Sequence, residues 1–275
     1  MVVTGRPAGP GAGATDAMIW VMTGPNRRSA GLAGELLERA ARATPAAAED
    51  RAAGWWLRHT DSSMWWSGAV LAHGAQDRLC ERIDAAEQFY AAHDAVTRFQ
   101  ICPDCPSGLD GLLAGRGYLS QPPVLLLTAA AGELAQAPGS PGLSVQIGRQ
   151  LTANWVSVLS ATSPGVAVDR DNRAIAGAGH PHAYFTVLAD AHPVGIGRAV
   201  ADGGWTGVFN MATTPMARRR GVARLVLTSI AQWAVARQAP RLYLQVERQN
   251  LPARRLYQAS GFSELASYHY RVGEA

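Results

Sequence analysis

The stretch Arg218-Arg219-Arg220-Gly221-Val222-Ala223 sets three guanidiniums beside a glycine, at a point where strand-like patterning gives way to helical patterning. A glycine there lets the backbone approach a ligand closely. The exposed N–H groups of a helix start bind anions, and flanking arginines add charge-assisted contacts to phosphate. Two other groupings could do chemistry. Cys102-Pro-Asp-Cys105 has the spacing of a zinc knuckle or a redox pair, but no second ligand pair follows it, and only Cys80 and His93 are near. Two unpaired thiols in a turn, and no metal, are the expectation. His180-Pro181-His182 reads as a pair of loop histidines. No Ser/His/Asp spacing is present, and no Gly-Lys-Ser/Thr follows Gly221, which excludes a Walker-type loop.

Charge singles out the same region. The 275-residue chain contains no lysine, so all 25 basic residues are arginine, and the formal net charge is +4. Nine arginines (218, 219, 220, 224, 237, 241, 248, 254 and 255) stand against one carboxylate, Glu247, between positions 218 and 255. That stretch carries +8 and the rest −4. An acidic body with one basic segment wants an anion: a nucleic acid, an acidic surface or a phosphorylated cofactor. Nucleic acid is disfavoured, because no recognition-helix pattern or aromatic–basic platform accompanies the arginines. A 48% hydrophobic content excludes wholesale disorder, and no apolar run approaches the ~18 residues of a membrane span. Residues 1–16, rich in Gly, Ala and Pro, read as a flexible tail and not a secretion signal. Three cysteines make no disulfide framework, which favours a cytoplasmic setting.

The elements that must position the basic loop are legible around it. Ala183–Ala189, Pro193–Ala201 and Trp205–Ala212 read as three strands, the last two joined at Asp202-Gly203-Gly204. Val222, Val226, Ile230 and Trp233 then recur as on the buried side of a helix ending near Pro240. Leu242, Leu244 and Val246 alternate with polar neighbours as a half-buried strand. A short helix over Pro252–Ser260 is entered through Asn250 and stopped by Gly261, and a strand over Phe262–Val272 closes the chain. The order implies an α/β fold with a sheet of mixed direction. The first half ends on a weak echo: helix Ile83–His93, strand Val96–Cys102, helix Leu109–Arg116, Gly117-Tyr118 and strand Val124–Thr128. Laying Gly117-Tyr118 on Gly261-Phe262, an offset of 144, puts Leu113 on Tyr257, although the preceding strands then match only with a one-residue slip. An ancient duplication and the ordinary likeness of α/β units both account for this. Trp55, Trp56, Trp65 and Trp66 are expected in strands and core.

These residues resemble the GNAT superfamily of N-acetyltransferases. Its acetyl-CoA loop, Arg/Gln-x-x-Gly-x-Gly/Ala, is matched by Arg218, Gly221 and Ala223. Its downstream signature is matched by Asn250, Ala253, Leu256, Tyr257, Gly261 and Phe262. The resemblance covers residues 143–275 and implies a mostly antiparallel GNAT-like sheet flanked by helices, and two-copy members of the family suggest 17–128 as a degenerate first copy; residues 129–142, small and Pro/Gly-rich with little apolar content, are expected to be the linker between them. It implies that Phe209, Asn210, Met211, Ala212 and Thr213 splay from the neighbouring strand to pair with the pantetheine arm. Backbone N–H groups of Arg219, Arg220, Gly221, Val222 and Ala223 would cradle the pyrophosphate, with Arg218 and Arg224 beside it. Asn250 would bond the cofactor or fix the following helix. An amine then attacks the thioester directly, the oxyanion being met by a backbone N–H near Met211.

Tyr257 is the expected acid, since a phenol of pKa ~10 is protonated at neutral pH and can donate to the departing thiolate; its plainer role is an aromatic filler. Glu247 is the expected base, directly or through water, or else a partner of Arg248 or Arg254; Asp202 and Asp169 are lesser candidates. The first half, with Leu113 in place of the tyrosine and His73–Asp77 in place of the loop, would only shape the cleft. Leu151–Asp171, with Trp155, Asp169 and Asp171, is expected to wall the acceptor side, Asp190 or Asp202 adding negative charge. The acceptor, a small-molecule amine or a peptide or protein amine, is left open, as is dimerisation. A non-catalytic acetyl-CoA sensor is the alternative reading.

Overall fold

The change of period at Gly221 marks a real boundary. In the computed structural model, which describes residues 27–52, 54–62, 64–74, 77–137, 139–163 and 179–274, Gly221 is the N-cap of a 15-residue helix, Val222–Ala236. The described helices are α1 (Arg27–Arg42), α2 (Leu79–Ala91), α3 (Leu109–Gly115), α4 (Ala131–Ala135), α5 (Ala153–Thr162), α6 (Val222–Ala236) and α7 (Leu251–Ala259). The strands are β1 (Ala48–Ala52), β2 (Trp55–His59), β3 (Val70–Leu71), β4 (Arg98–Ile101), β5 (Leu119–Ser120), β6 (Val124–Ala130), β7 (Leu143–Gly148), β8 (His182–Ala189), β9 (His192–Asp202), β10 (Trp205–Thr213), β11 (Arg241–Glu247) and β12 (Ser263–Val272). The expected tail over residues 1–16, and Asp169 and Asp171, lie outside the described residues.

All twelve strands join one sheet in the order β1-β2-β3-β4-β12-β6-β11-β10-β9-β8-β7, with β5 against β12. Only β3–β4 and β10–β11 pair in parallel; the other ladders are antiparallel. The two halves are not joined end to end. Strand β6, from the first half, sits between β11 and β12 of the second. The end of β12 in turn pairs with β4 and β5 of the first. The trade is symmetrical to the residue: Ser263 and Glu264 face Thr128 and Leu127, while Leu119 and Ser120 face Val272 and Arg271, every position 144 from its counterpart. Turns repeat at the same offset. Tyr118 N–H bonds Leu113 O as Phe262 N–H bonds Tyr257 O, both at 3.0 Å; Ala95 N–H bonds Tyr90 O as Ala239 N–H bonds Ala234 O, again at 3.0 Å. The offset therefore holds on both sides of the strand for which sequence comparison asked a slip.

Residues 129–142 are not a free tether over their first part. Ala129 and Ala130 end β6, and α4 buries Ala131 and Leu134 in the core beneath α6. β11 also departs from expectation. Leu242, Leu244 and Val246 face α6, but Tyr243 is buried on the other face under α1, so the strand is covered on both sides. Its polar spacing reflects its final residues, where the sheet opens. Trp55 and Trp56 are buried in β2, whereas Trp65 and Trp66 belong to a 3₁₀ turn and Trp66 is 48% exposed. Helix α6 lies tightly on β9, because Gly195 and Gly197 have no side chain: a Cβ at Gly195 would stand 2.2 Å from Val222 Cγ1.

Asp202 has a structural assignment and not the one expected of a base or an acceptor contact. Its carboxylate pairs with Arg39 (2.7 Å) and Arg42 (3.0 Å), tying α1 to the β9–β10 turn. Burial pushes its pKa up, but the two arginines outweigh that and hold it below the ordinary value. A depressed carboxyl stabilises the fold at pH above its unfolded pKa of about 3.9, and that contribution is lost as pH falls through the lower folded value. Asp202→Asn should therefore cost roughly 1–2 kcal/mol at pH 7. In thermal melts, the gap between variant and parent should close below about pH 4; a gap that stays constant down to acid pH would show that charge is not the cause.

Candidate functional site

The sheet opens where the two parallel strands of the second half part. β10 and β11 pair from Trp205–Val208 against Arg241–Leu244 and no further. Beyond that point β10 carries a bulge: Phe209 faces Arg198 and Ala212 faces Ile196, which leaves Asn210 and Met211 together opposite Gly197. Asn210 adopts a φ of +51°, a conformation a bulged Asn tolerates. Gly197 O is not orphaned, because the Trp155 indole N–H donates to it at 3.1 Å. Trp155 is thus fully buried in the core behind the bulge and does not wall an acceptor site, as its place in the sequence suggested. The five residues Phe209 to Thr213 present backbone along an opening, as expected of a splayed strand.

Past β10, Arg218, Arg219 and Arg220 form an exposed turn ending at Gly221. Arg219 (φ +64°) and Gly221 (φ +81°) both take left-handed backbone, so the turn aims successive N–H groups outward at the start of α6. No side chain caps this helix. Among the described residues, none of Arg218, Arg219, Arg220 and Arg224 makes an ion pair. Val222 points inward and Ala223 is half-buried. Four unneutralised guanidiniums around one helix N-terminus make a strong anion site. Three of the five other arginines in the basic segment are otherwise engaged: Arg237 and Arg241 stack on Trp233 and Trp205, and Arg248 pairs with Glu264 at 3.6 Å.

From the opening a cavity of about 630 Å³ runs into the molecule. Tyr257, Ala253 and Asn250 of α7 and its cap line it from one side of the sheet, and Leu37, Ala40 and Ala41 of α1 from the other. Asn250 caps α7, its side-chain oxygen accepting from Ala253 N–H at 3.2 Å; it fixes that helix. α7 in turn aims Tyr257, whose ring packs edge-on against Phe262. The Tyr257 hydroxyl has no partner among the described residues, and burial pushes its pKa up to about 12. Glu247 stands exposed at the mouth. It makes no ion pair with Arg248 or Arg254; Arg254 donates instead to Arg248 O at 3.0 Å.

The far wall comes from residues that the sequence did not single out. Arg58 of β2 and Arg198 of β9, each 1% exposed, line the cavity and converge on the C-terminal end of α1. Arg58 donates to Ala41 O (2.9 Å) and Thr44 O (2.6 Å), and Arg198 to Ala43 O (2.9 Å). Cations there oppose the negative end of the helix dipole. Burial pulls Arg198 down to about 10, still charged at neutral pH, and its guanidinium lies over Phe209. Gln245 and Gln100 hold Tyr268 and Tyr270, the latter at 3.1 Å, along the floor. The only hint in the sequence was charge placed at inward-facing positions of two strands.

Residues 154–262 match the acetyltransferase (GNAT) family. Over 252 residues, 86% of this chain and 97% of the other, the sequence is 23% identical to YobR of Bacillus subtilis strain 168, an uncharacterized N-acetyltransferase. The fold resembles that of a GCN5-related N-acetyltransferase from Kribbella flavida at 14% identity, with a TM-score of 0.68 over 90% of this chain and 96% of that one. It is similar also to a tandem GNAT protein from the clavulanic acid biosynthesis pathway, at 13% identity and a TM-score of 0.64 over 92% and 90% of the two chains. The opened β10–β11 pair and the basic turn before α6 both lie within residues 154–262, the segment that matches the GNAT acetyltransferase family.

Proposed function

We propose that the protein is an acetyl-CoA-dependent N-acetyltransferase whose acceptor is a primary amine on a largely uncharged body. The observation that carries this reading is the run of outward N–H groups and four unpaired arginines at the start of α6, continuous with a strand that leaves its neighbour. Arg218 to Arg224 would hold the pyrophosphate, and the free edge of Phe209–Thr213 would pair with the pantetheine amides. N–H groups near Met211, turned out of the ladder by the bulge, would meet the oxyanion. Glu247 at the mouth takes a proton from the incoming ammonium, the free amine attacks the thioester carbonyl, and Tyr257 donates its proton to the departing thiolate. The first half is a second, worn copy of the same unit. Between β3 and α2 its sequence carries one arginine, Arg78, where the second half has three in a row, and it supplies the cavity wall.

The acceptor's character follows from that wall. Among the described residues that line the cavity only Arg58, Arg198 and Glu247 carry charge, so a polycation entering the interior would meet two buried guanidiniums. A small amine fits; so does the amino end of a neutral chain. The test is acetyl-CoA-dependent thiol release across single amines, amino sugars, polyamines and peptides. We expect turnover of single amines and at least about tenfold lower kcat/KM for polycations, the equivalent of ~1.4 kcal/mol. Calorimetric binding of CoA should weaken about tenfold with Arg218→Ala plus Arg220→Ala, through lost charge-assisted contacts. Acetyl-CoA binding without turnover of any amine would instead support a sensor.

A further inference from the structure

A second cluster of reactive groups lies apart from the anion turn. Cys102 Sγ stands 3.8 Å from Cys105 Sγ and 3.4 Å from His73 Nε2. The other nitrogen of His73, Nδ1, is 3.1 Å from Glu38 Oε1 on α1. A thiol, an imidazole and a carboxylate therefore stand in line, with a second thiol within reach of the first. The pair is held from both sides: Cys102 N–H donates to Cys105 Sγ (3.3 Å), and Cys105 Sγ donates to Gln100 O (3.3 Å). Asp104, between the cysteines, accepts from Gly34 N–H of α1. Cys102 is buried and Cys105 partly exposed, so a small oxidant meets Cys105 first.

We propose that Cys102 and Cys105 form an oxidisable dithiol, served by His73, that hydrogen peroxide converts to a disulfide. The Cys105 thiolate attacks one peroxide oxygen. An S–O bond forms and the O–O bond breaks. The departing hydroxide takes up the proton that the thiol released, leaving a sulfenic acid and one water. Cys102 sulfur then attacks Cys105 sulfur: the S–S bond forms and the S–O bond breaks. The protonated His73 gives its Nε2 proton to the departing hydroxide, which leaves as a second water, and the Cys102 proton takes its place on the ring. Two thiols and one peroxide thus become one disulfide and two waters. Glu38 keeps the His73 ring turned towards Cys102 and balances its positive charge.

The electrostatics agree with the geometry. Burial pulls the His73 pKa down, but its bonds to Cys102 and Glu38 outweigh that and carry it to about 9, so the ring rests as an imidazolium at neutral pH and acts first as a proton donor. The contact with Cys102 draws Cys105 below the usual thiol value, favouring it as the first nucleophile. Closing the sulfurs from 3.8 Å to the ~2.05 Å of a disulfide must release Cys105 from Gln100 O. Gln100 lines the large cavity, so oxidation and the acceptor wall are mechanically connected.

The test uses the full chain with Cys80→Ser, which removes the exposed third thiol. After brief treatment with hydrogen peroxide, denaturation and iodoacetamide, the intact mass should show loss of two hydrogens and no alkylation; dithiothreitol should restore both alkylation sites. Cys102→Ser should trap Cys105 as a dimedone adduct. His73→Gln should slow disulfide closure at least about tenfold while its melting curve stays within a few degrees of the parent's. Two alkylated cysteines after peroxide, an unchanged closure rate in His73→Gln, or thiols masked by a stoichiometric zinc ion that survives dialysis would each overturn the proposal.

Discussion

Tyr257→Phe should lower kcat about 10²-fold, ~2.7 kcal/mol of barrier, while the KM for acetyl-CoA moves less than twofold and the melting temperature does not fall. The size follows from the role. A thiolate leaving a thioester needs a proton, and the Tyr257 hydroxyl lines the cavity with no other partner to hold it. Burial alone raises its pKa to about 12, which keeps the proton in place across the neutral range without making the phenol unable to give it to a thiolate forming nearby. Stability should be spared for the same reason. Removing the hydroxyl breaks no hydrogen bond among the described residues, and the ring keeps its contact with Phe262. Steady-state kinetics with a fixed amine, CoA titration and a thermal melt distinguish the outcomes. Unchanged kcat eliminates the acid role. A joint fall in affinity and melting temperature would mean that the tyrosine matters only as packing.

The fragment 143–275, which spans the whole motif-bearing region, should fail to fold by itself, whereas 121–275 should be markedly more soluble. The shorter fragment lacks β6. Without it β11 and β12 lose the strand that pairs with both, leaving two unpaired edges and an empty slot. Leu125, Leu126 and Leu127 are each at most 6% exposed and face both layers of helices. At roughly 1.5–3 kcal/mol for each buried leucine, their loss takes away about 5–9 kcal/mol. A domain is stable by only about 5–15 kcal/mol in all, so that loss is enough to unfold it. Soluble expression followed by circular dichroism and amide exchange decides the matter. A folded, cooperatively melting 143–275 fragment would show that β6 is dispensable.

How much of this was legible in the sequence divides along a physical line. Features fixed by neighbours in the chain were readable. The i, i+4 spacing from Val222 gave α6, Asn250 capped α7 as its type and place suggested, and the Asp202-Gly203-Gly204 turn joined β9 to β10. The family motifs fell on the elements they required. Features fixed by distant partners were not readable. Val124–Thr128 looks like any apolar strand, and nothing in its composition says that it lies between two strands more than a hundred residues later. Trp155 read as an acceptor wall because it sits on an early helix, but its indole is spent on Gly197 O. Arg58 and Arg198 drew no attention in the sequence. Their real partners are the carbonyls at the end of α1, a helix that the sequence reading did not locate.

The strand trade between the halves also governs how the chain must be made. β4 and β5 of the first half wait for residues 269–272, near the end of the chain, before their pairing is complete. A ribosome therefore cannot release a finished first half while it synthesises the second. Contacts of such high sequence separation slow folding, because loop closure must precede the gain from pairing. Each half can vary its loops and side chains but not its length of registered strand, since a shift in one would displace every facing side chain in the other. Two halves bound in this way persist together, since deleting either strips paired strands from the other.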